Sequence, residues 1–274
     1  MPLPVRAFDV RRVREAFGFV SRAEHVGKVV LRMPRRLDPD GTVLVTGATG
    51  ALGRLLAVHL VEQHQVGRLL LVSRRGAAAE GALELEAELV GRGARVRFAA
   101  CDVSDRDALA RVLTLAETPL TAVVHTAGVV EDATIASLDS EQLDRVLAPK
   151  VDAAWHLHEL TAGADLAMFT LFSSIAGVFG SPGQGNYAAA NAYLDALAEY
   201  RYGKGLAGQS IAWGLWDSDS VMTAGLTSTD LARSQGAGMR AITAEQGMAL
   251  FDAAATRDRA NVVAVPLDVT ALAG

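Results

Sequence analysis

The sequence predicts an α/β protein, a doubly wound Rossmann fold with a seven-stranded parallel sheet. From residue 41 onward, short apolar runs alternate with stretches of helical length, the order typical of a parallel sheet covered on both faces. The first run, TVLVT, leads directly into a glycine-rich turn and a helix. The 274 residues are 50% hydrophobic and 5% aromatic, which is typical of a helix-and-sheet domain with tight backbone packing.

Seven apolar runs predict the strands, and the stretches between them predict the helices. The strands, in order, are TVLVT, RLLLVS, ARVRFAA, LTAVVHT, LAMFTLFSS, QSIAWG and NVVAVPL. The helices are ALGRLLAVHLVEQH, a stretch around 78–92, DRDALARVLTLAE, one long helix over roughly 140–162, the segment around Tyr187, and TAEQGMALFDAAAT. Residues 217–240 are polar and weakly periodic, so we expect a mobile loop with a short helix.

Residues 1–36 differ from the rest and predict a tail or linker, with the Rossmann domain over residues 37–274. FDVRRVREAFGFVSRAEHVGK predicts a cationic amphipathic helix with Asp9 as its N-cap, and KVVLRM predicts a short strand. The prolines and glycine of PRRLDPDG indicate a boundary near residues 34–40.

Composition excludes several classes of function. The net charge is −5 and no basic stripe is present, which argues against a nucleic-acid partner. Cys101 is the only cysteine, so an internal disulfide and a cysteine-based metal site are excluded, and we expect no metal. No apolar run is long enough to span a membrane and no signal peptide is visible, so we expect a cytoplasmic protein without a membrane partner.

The glycines at 47, 50 and 53 predict a phosphate-binding turn between the first strand and its helix. Glycine there permits a tight turn, close approach of the backbone to a pyrophosphate and close helix–strand packing. The helix N-terminus adds unpaired N–H groups and the positive end of the dipole. A purely structural turn that binds nothing is the alternative. The cofactor-binding residues predicted here are Thr46, Gly47, Thr49, Gly50, Ala51, Leu52 and Gly53.

The ends of the next two strands indicate which cofactor binds. The second strand ends in Ser73-Arg74-Arg75, and a guanidinium suits the 2′-phosphate of NADPH where an acidic residue would suit NADH. Two solvated surface arginines are the alternative. The third strand ends in Cys101-Asp102-Val103, where the carboxylate either meets the adenine amino group or caps a turn. We expect Cys101 to be an inert core thiol.

Ser174, Tyr187 and Asn191 predict a proton-handling site. Tyr187 and Asn191 are four residues apart on a predicted helix and therefore share a face, and Ser174 ends the preceding strand. Two of these residues also have a structural interpretation: Tyr187 as an ordinary buried tyrosine, and Ser174 as an N-cap or a strand-end hydroxyl. Together with the glycine turn, the three indicate nicotinamide-dependent redox chemistry.

These motifs resemble the short-chain dehydrogenase/reductase superfamily over about residues 41–267. The resemblance rests on TGATGALG, on HTAG at 125–128, and on Ser174 with Tyr187. Most members have a lysine four residues after the tyrosine, whereas this chain has Asn191 there and Lys150 upstream in LAPKVDAAWHL. That exchange, with FSSIAGVFGSPGQGNYAAANAYLDALAEYR and WGLW, resembles the ketoreductase domains of modular type I polyketide synthases. The resemblance adds these cofactor-binding residues: Thr126, Ala127, Gly128, Lys150 and Tyr187.

The resemblance implies NADPH-dependent reduction of a 3-ketoacyl thioester carried on an acyl carrier protein. Tyr187 would donate the proton, and the Lys150 ammonium would favour phenolate and also bond the nicotinamide ribose. Bringing the phenol pKa to neutrality takes roughly 4 kcal/mol. Ser174 would donate to the carbonyl oxygen, and Asn191 would orient Lys150 or hold a water. We expect His125 to be a packed residue near the cofactor.

The resemblance also implies a stereochemical type. A-type members have tryptophan eight residues before the tyrosine, where this chain has Phe179, and B-type members have Leu-Asp-Asp, where this chain has Val130-Glu131-Asp132. Pro182 and Asn186 fit the B-type, so the expected product is a D-configured 3-hydroxyacyl thioester. Ala189 stands where an epimerising B-type domain has proline, so we expect no α epimerisation. The predicted substrate and stereocontrol residues are Glu131, Asp132, Phe179, Pro182, Gln184, Asn186, Trp216 and Met222.

The N-terminal segment PVRAFDVRRVREAFGFVSRAEHVGKVVLRMPR resembles the tail of an enoylreductase domain. The partners implied are the enoylreductase, the upstream structural subdomain of the ketoreductase and the carrier protein. Without that upstream packing, we expect the N-terminal helix to expose an apolar face. Two alternatives remain for the whole chain: a free-standing short-chain reductase of a small carbonyl, and a catalytically silent NADPH-binding scaffold.

Overall fold

A computed structural model describes residues 3–23, 25–217 and 239–267. The predicted loop over 217–240 falls almost entirely outside these residues, and so does Met222. Among the described residues, no helix is long and apolar enough to cross a membrane.

Seven parallel strands form the main sheet, as the apolar runs predict. Its spatial order is β5-β4-β3-β6-β7-β8-β9, with a crossover between β3 and β6 that is typical of doubly wound folds. A separate two-stranded parallel sheet pairs β1 with β2. The strands are β1 Val5–Asp9, β2 Lys28–Arg32, β3 Thr42–Thr46, β4 Arg68–Ser73, β5 Arg95–Ala100, β6 Leu120–His125, β7 Met168–Ser174, β8 Gln209–Trp213 and β9 Asn261–Ala264.

Helices cover both faces of the main sheet. These helices are α2 Ala51–His64, α3 Ala82–Gly91, α4 Arg106–Leu113, α5 Ser140–Leu147, α6 Val151–Leu160, α7 Ala176–Phe179, α8 Gly185–Gly203 and α9 Ala244–Ala255. The helix before them, α1 Val13–Ser21, packs against β1 and β2 of the small sheet. Successive residues of β3 point to opposite faces, so Val43 and Val45 join one core cluster with α2, α3 and α9. Leu44 joins the other cluster, which contains residues of α4, α6 and α8.

The single helix predicted over 140–162 is wrong, because the structure has two helices with a break at residues 148–150. Pro149 lies inside the break and cannot donate a backbone hydrogen bond to the preceding turn. Lys150 has φ −107° and ψ −56° and stands immediately before α6. The break therefore sets the direction of the Lys150 side chain, which becomes important for the site.

The N-terminal segment adds a strand that the sequence analysis missed. Asp9 caps the short 3₁₀ turn Val10–Arg12 by accepting from Arg11 N–H at 2.8 Å. It does not cap the predicted α-helix itself, because the N-cap residue of α1 is Arg12, and α1 ends earlier than predicted. Arg12 reaches the main domain, where it lies 3.3 Å from the Tyr202 hydroxyl and 3.7 Å from Asp258. Phe17 is 68% exposed, in accord with the expected apolar face.

Candidate active site

The glycine turn between β3 and α2 is shaped by close backbone contacts. Gly47 has φ +70°, and a Cβ at this position would lie 2.7 Å from the backbone nitrogen of Ala127 at the end of β6. A Cβ on Gly53 would lie 2.4 Å from the carbonyl oxygen of Gly47. Larger residues are therefore excluded at both positions, and the turn packs directly against the HTAG segment.

The N-terminus of α2 has no side-chain cap. Gly50 occupies the N-cap position in an extended conformation, and Thr49, Ala51 and Leu52 flank it. The first-turn N–H groups of this 14-residue helix are left for an anion, in the geometry that suits a pyrophosphate. The turn thus fits the dinucleotide predicted from the sequence.

The ends of β3 and β6 are joined by a threonine–histidine network. Thr126 donates its hydroxyl to the Thr46 carbonyl at 2.7 Å, and the Thr46 hydroxyl lies 2.7 Å from His125 Nδ1. His125 is fully buried, and burial together with the nearby Lys150 charge lowers its pKa to about 3. The ring is therefore neutral at physiological pH and serves in packing, as expected.

At the end of β4, Arg74 and Arg75 are exposed next to Ser73. The Asp102 carboxylate after β5 accepts from the Ser104 N–H at 3.0 Å and from its hydroxyl at 2.6 Å, which lowers the Asp102 pKa, and Arg74 contributes to that lowering. Of the two roles left open for Asp102, the structure shows the turn cap.

The thiol of Cys101 belongs to the core on that same side of the sheet. The side chain is buried, and burial raises its pKa. Val103, two residues on, is buried in the same cluster. The prediction of an inert thiol agrees with this environment, because a buried neutral thiol is a poor nucleophile.

Tyr187 lies on α8 with its side chain 5% exposed. Burial raises the pKa of its phenol, and side-chain hydrogen bonding with Asn191 and with Ser174 lowers it by a smaller amount. The structure therefore gives the opposite direction to the lowered pKa that the sequence analysis expected. The phenol remains protonated at neutral pH, which is the form that a proton donor must have before reaction.

Lys150 is 2% exposed and reaches the same region from the start of α6. Its Nζ donates to the carbonyl oxygen of Phe172 in β7 at 2.9 Å and lies 5.4 Å from the centroid of the Tyr187 ring. Burial lowers its pKa to about 8, with a smaller opposing effect from Asp195. Lys150 is therefore mostly protonated at neutral pH, and its positive charge lies close to the phenol.

Asn191 lies one helical turn after Tyr187, but its hydrogen bond differs from the predicted one. Its side-chain amide donates to the backbone carbonyl of Tyr187 at 2.8 Å, one helical turn earlier. The orientation of Lys150 comes from the Phe172 carbonyl instead. The Asn191 amide therefore bonds the backbone of Tyr187, while a strand carbonyl accepts from the Lys150 ammonium.

The loop after β6 is tied to the start of α8 by side chains and backbone. Asn186 donates its amide to the Glu131 carbonyl at 3.0 Å and accepts from the Tyr187 N–H at 2.8 Å. Gln184 donates to the Asp132 carboxylate at 3.1 Å. The Glu131 carboxylate turns away and forms a two-point contact with Arg145 of α5, at 2.8 and 2.9 Å. Asp132 is thereby the acidic group held near Tyr187.

Three of the residues predicted to contact the substrate differ in their exposure to solvent. Phe179 and Pro182 are exposed on the segment that precedes α8. Trp216, predicted to border the substrate entry, is only 5% exposed and packs against Trp213, with ring centroids 4.9 Å apart. Gly247 leaves room for the indole ring of Trp216, since a Cβ on Gly247 would lie 1.9 Å from that ring.

Several contributors to the site were missed in the sequence. Gly128 was predicted as a cofactor contact, but a second role was missed: it leaves room for Lys150, because a Cβ there would lie 2.7 Å from Lys150 Cε. The Phe172 carbonyl and Arg145 were also missed. Pro149 was the visible signal for the break that positions Lys150, whereas no local pattern identifies a backbone carbonyl as an ammonium partner.

Fold and site together define a Rossmann-fold oxidoreductase with a tyrosine, a serine and a lysine at the carboxyl edge of the sheet. The model of the KR domain family matches residues 41–218. The chain belongs to this family, the ketoreductase domains of modular polyketide synthases, which act on a ketone.

The curated relatives are much longer proteins. Polyketide synthase GfsB of Streptomyces halstedii is 55% identical over 273 residues, which cover 99% of this chain and 5% of that protein. The pikromycin polyketide synthase component PikAII of Streptomyces venezuelae is 56% identical over 274 residues, 98% of this chain and 7% of that protein. The chain therefore spans a small fraction of the relatives it matches.

Solved ketoreductases have the same fold. A structure of A-type ketoreductases from a modular polyketide synthase matches with a TM-score of 0.81 and 46% identity, covering 88% of this chain and 50% of that one. A C2-type ketoreductase from a modular polyketide synthase matches with a TM-score of 0.77 and 33% identity, covering 87% and 51%. The similarity thus extends across ketoreductases of different types.

Proposed function

We propose that this domain reduces a 3-ketoacyl thioester, carried on an acyl carrier protein, to a D-configured 3-hydroxyacyl thioester with NADPH and without α epimerisation. The observation that carries the proposal is the buried, protonated phenol of Tyr187, whose raised pKa is partly offset by Ser174 and Asn191, with the Lys150 ammonium beside its ring. The carrier protein and the neighbouring synthase domains are proposed as partners because the relatives are modular synthases.

In this mechanism the chain supplies the proton and stabilises charge, while bound NADPH supplies the hydride. The Tyr187 hydroxyl donates its proton to the ketone oxygen as negative charge develops there. Ser174, at the end of β7, donates a hydrogen bond to the same oxygen. The Lys150 ammonium stabilises the phenolate that remains, in a site from which burial excludes water.

Arg74 and Arg75 are proposed to bind the 2′-phosphate of NADPH. We expect the double variant Arg74→Ala/Arg75→Ala to lower kcat/KM for NADPH by about 10- to 100-fold, because charge-assisted hydrogen bonds to phosphate are lost. Steady-state kinetics with NADH should change little. Arg92→Ala, which removes an arginine bonded to Glu62 at 2.7 Å, is the matched control. Equal losses with both cofactors would exclude these arginines as the 2′-phosphate site.

The stereochemical proposal is supported by two contacts at the start of α8, that of Gln184 with Asp132 and that of Asn186 with the Glu131 carbonyl. We expect incubation with NADPH and a 2-methyl-3-ketoacyl thioester to give the D-configured 3-hydroxy product, measured by chiral chromatography. Deuterium placed at the α carbon should be retained, because Ala189 stands where an epimerising B-type domain has proline. An L-configured product would overturn the B-type assignment, and loss of deuterium beyond that in an enzyme-free control would overturn the absence of epimerisation.

The same incubation separates the proposal from the alternatives. A free-standing carbonyl reductase would prefer a small free ketone over the carrier-bound thioester, when kcat/KM values for the two are compared. A silent scaffold would bind NADPH tightly, by fluorescence titration, and oxidise none of it with either ketone.

A further inference from the structure

Two histidines and an aspartate converge where α2 packs against α9, away from the proposed site. The Nε2 atom of His59 lies 2.9 Å from Oδ1 of Asp252, and Nε2 of His64 lies 2.7 Å from the same oxygen. One ligand atom from each of the three residues lies within 4.8 Å of the others. Residues separated by 193 and 188 positions in the chain thus present two imidazole nitrogens and a carboxylate to one point.

The two imidazole rings are held in place by packing. They meet at a centroid distance of 5.4 Å and an angle of 68°, and both stand edge-on to the buried ring of Phe251. The side chains of His59, His64 and Asp252 are 13%, 26% and 39% exposed. The nitrogens are therefore pre-oriented toward the carboxylate, and the site is open enough for an ion and a water ligand to enter.

This cluster is independent of the glycine turn. The 14 residues of α2 span about 21 Å, with the turn at one end and His64 at the other. The proposed reduction uses neither histidine nor Asp252, so the arrangement has no role in the chemistry described above.

We propose that His59, His64 and Asp252 bind a divalent transition-metal ion of the Zn²⁺ type. Two imidazole nitrogens and one carboxylate oxygen are a donor set that Zn²⁺ prefers, with water completing four-coordination, whereas Mg²⁺ and Ca²⁺ prefer oxygen ligands throughout. Bonds of about 2.0–2.2 Å require the ligand atoms to move apart by only about half an ångström from their hydrogen-bonded distances. The bound ion cross-links α2 to α9 and stabilises their packing.

The test uses untagged protein freed of metal with a chelator and titrated with Zn²⁺ by calorimetry. We expect one ion per chain and a rise in Tm of roughly 5–10 °C at free Zn²⁺ about 100-fold above Kd. Asp252→Asn keeps an oxygen that accepts from both imidazoles but removes the charged ligand, so the rise in Tm should disappear. His156→Gln, a histidine of α6 outside the cluster, is the matched control and should bind as the parent does.

The outcomes separate a metal site from a hydrogen-bonded cluster. Melting each variant in chelator shows whether it folds, and visible absorption of the Co²⁺-loaded parent reports four-coordination without any variant. Substoichiometric binding, or unchanged Zn²⁺ affinity in folded Asp252→Asn or His59→Gln/His64→Gln, would overturn the proposal. A four-coordinate Co²⁺ spectrum that is lost in those variants would support it.

Discussion

Replacing Tyr187 with phenylalanine is expected to reduce turnover by about 10²- to 10⁴-fold, the range that a positioned acid contributes. NADPH binding and the fold should be retained, because the ring still packs against Val146, Ala176 and Ala190. The measurements are kcat with a 3-ketoacyl thioester, Kd for NADPH by fluorescence, and Tm.

Tyr193→Phe provides a control on the same helix. Tyr193 is half-buried and packs in the cluster on the α8 face of the sheet, so removal of its hydroxyl should leave turnover unchanged. Undiminished turnover in Tyr187→Phe would rule out Tyr187 as the acid. A fall in turnover in both variants would indicate that substitutions in α8 disturb the site in general.

The second large effect is expected for Lys150→Met, which removes the buried ammonium and keeps an unbranched side chain that is one atom shorter. We expect turnover to fall by roughly 10²- to 10³-fold, the cost of losing one preorganised electrostatic contact.

The Tm of Lys150→Met should change little. The buried charge of Lys150 costs about 3 kcal/mol, since its pKa falls from 10.5 to about 8, and removing it offsets the loss of a donor to the Phe172 carbonyl. A Lys150→Met variant with parental kcat would contradict this role.

The pKa of Lys150 also predicts how the enzyme responds to pH. Between pH of about 8 and 10.5 the unfolded chain holds the Lys150 proton and the folded chain does not, so this residue makes the protein more stable as pH rises through that window. Turnover should move the other way and fall above pH of about 8, because the ammonium is lost while burial keeps Tyr187 protonated. A pH profile of kcat/KM checks this, and a flat profile from pH 7 to 9.5 would exclude the ammonium.

The strands and most helices could be predicted because their signals are local. Strands buried on both faces have continuous apolar sequences, and each of the seven predicted runs is a strand in the sheet. The glycine turn could be predicted for a similar reason, since the spacing at 47, 50 and 53 reflects backbone contacts within a single strand–turn–helix unit. The capping of the N-terminal turn by Asp9 was also a local signal.

The sequence alone was enough to predict that the phenol of Tyr187, the hydroxyl of Ser174 and the amide of Asn191 lie near one another at the carboxyl edge of a parallel sheet. Only the tertiary structure decided which groups contact one another across that edge. In the folded chain, Lys150 donates to the Phe172 carbonyl, Gln184 donates to Asp132, and Trp216 is buried in the core. His59 and His64 both contact Asp252. Periodicity records the face on which a side chain lies, whereas its partner depends on elements that fold beside it from distant parts of the chain.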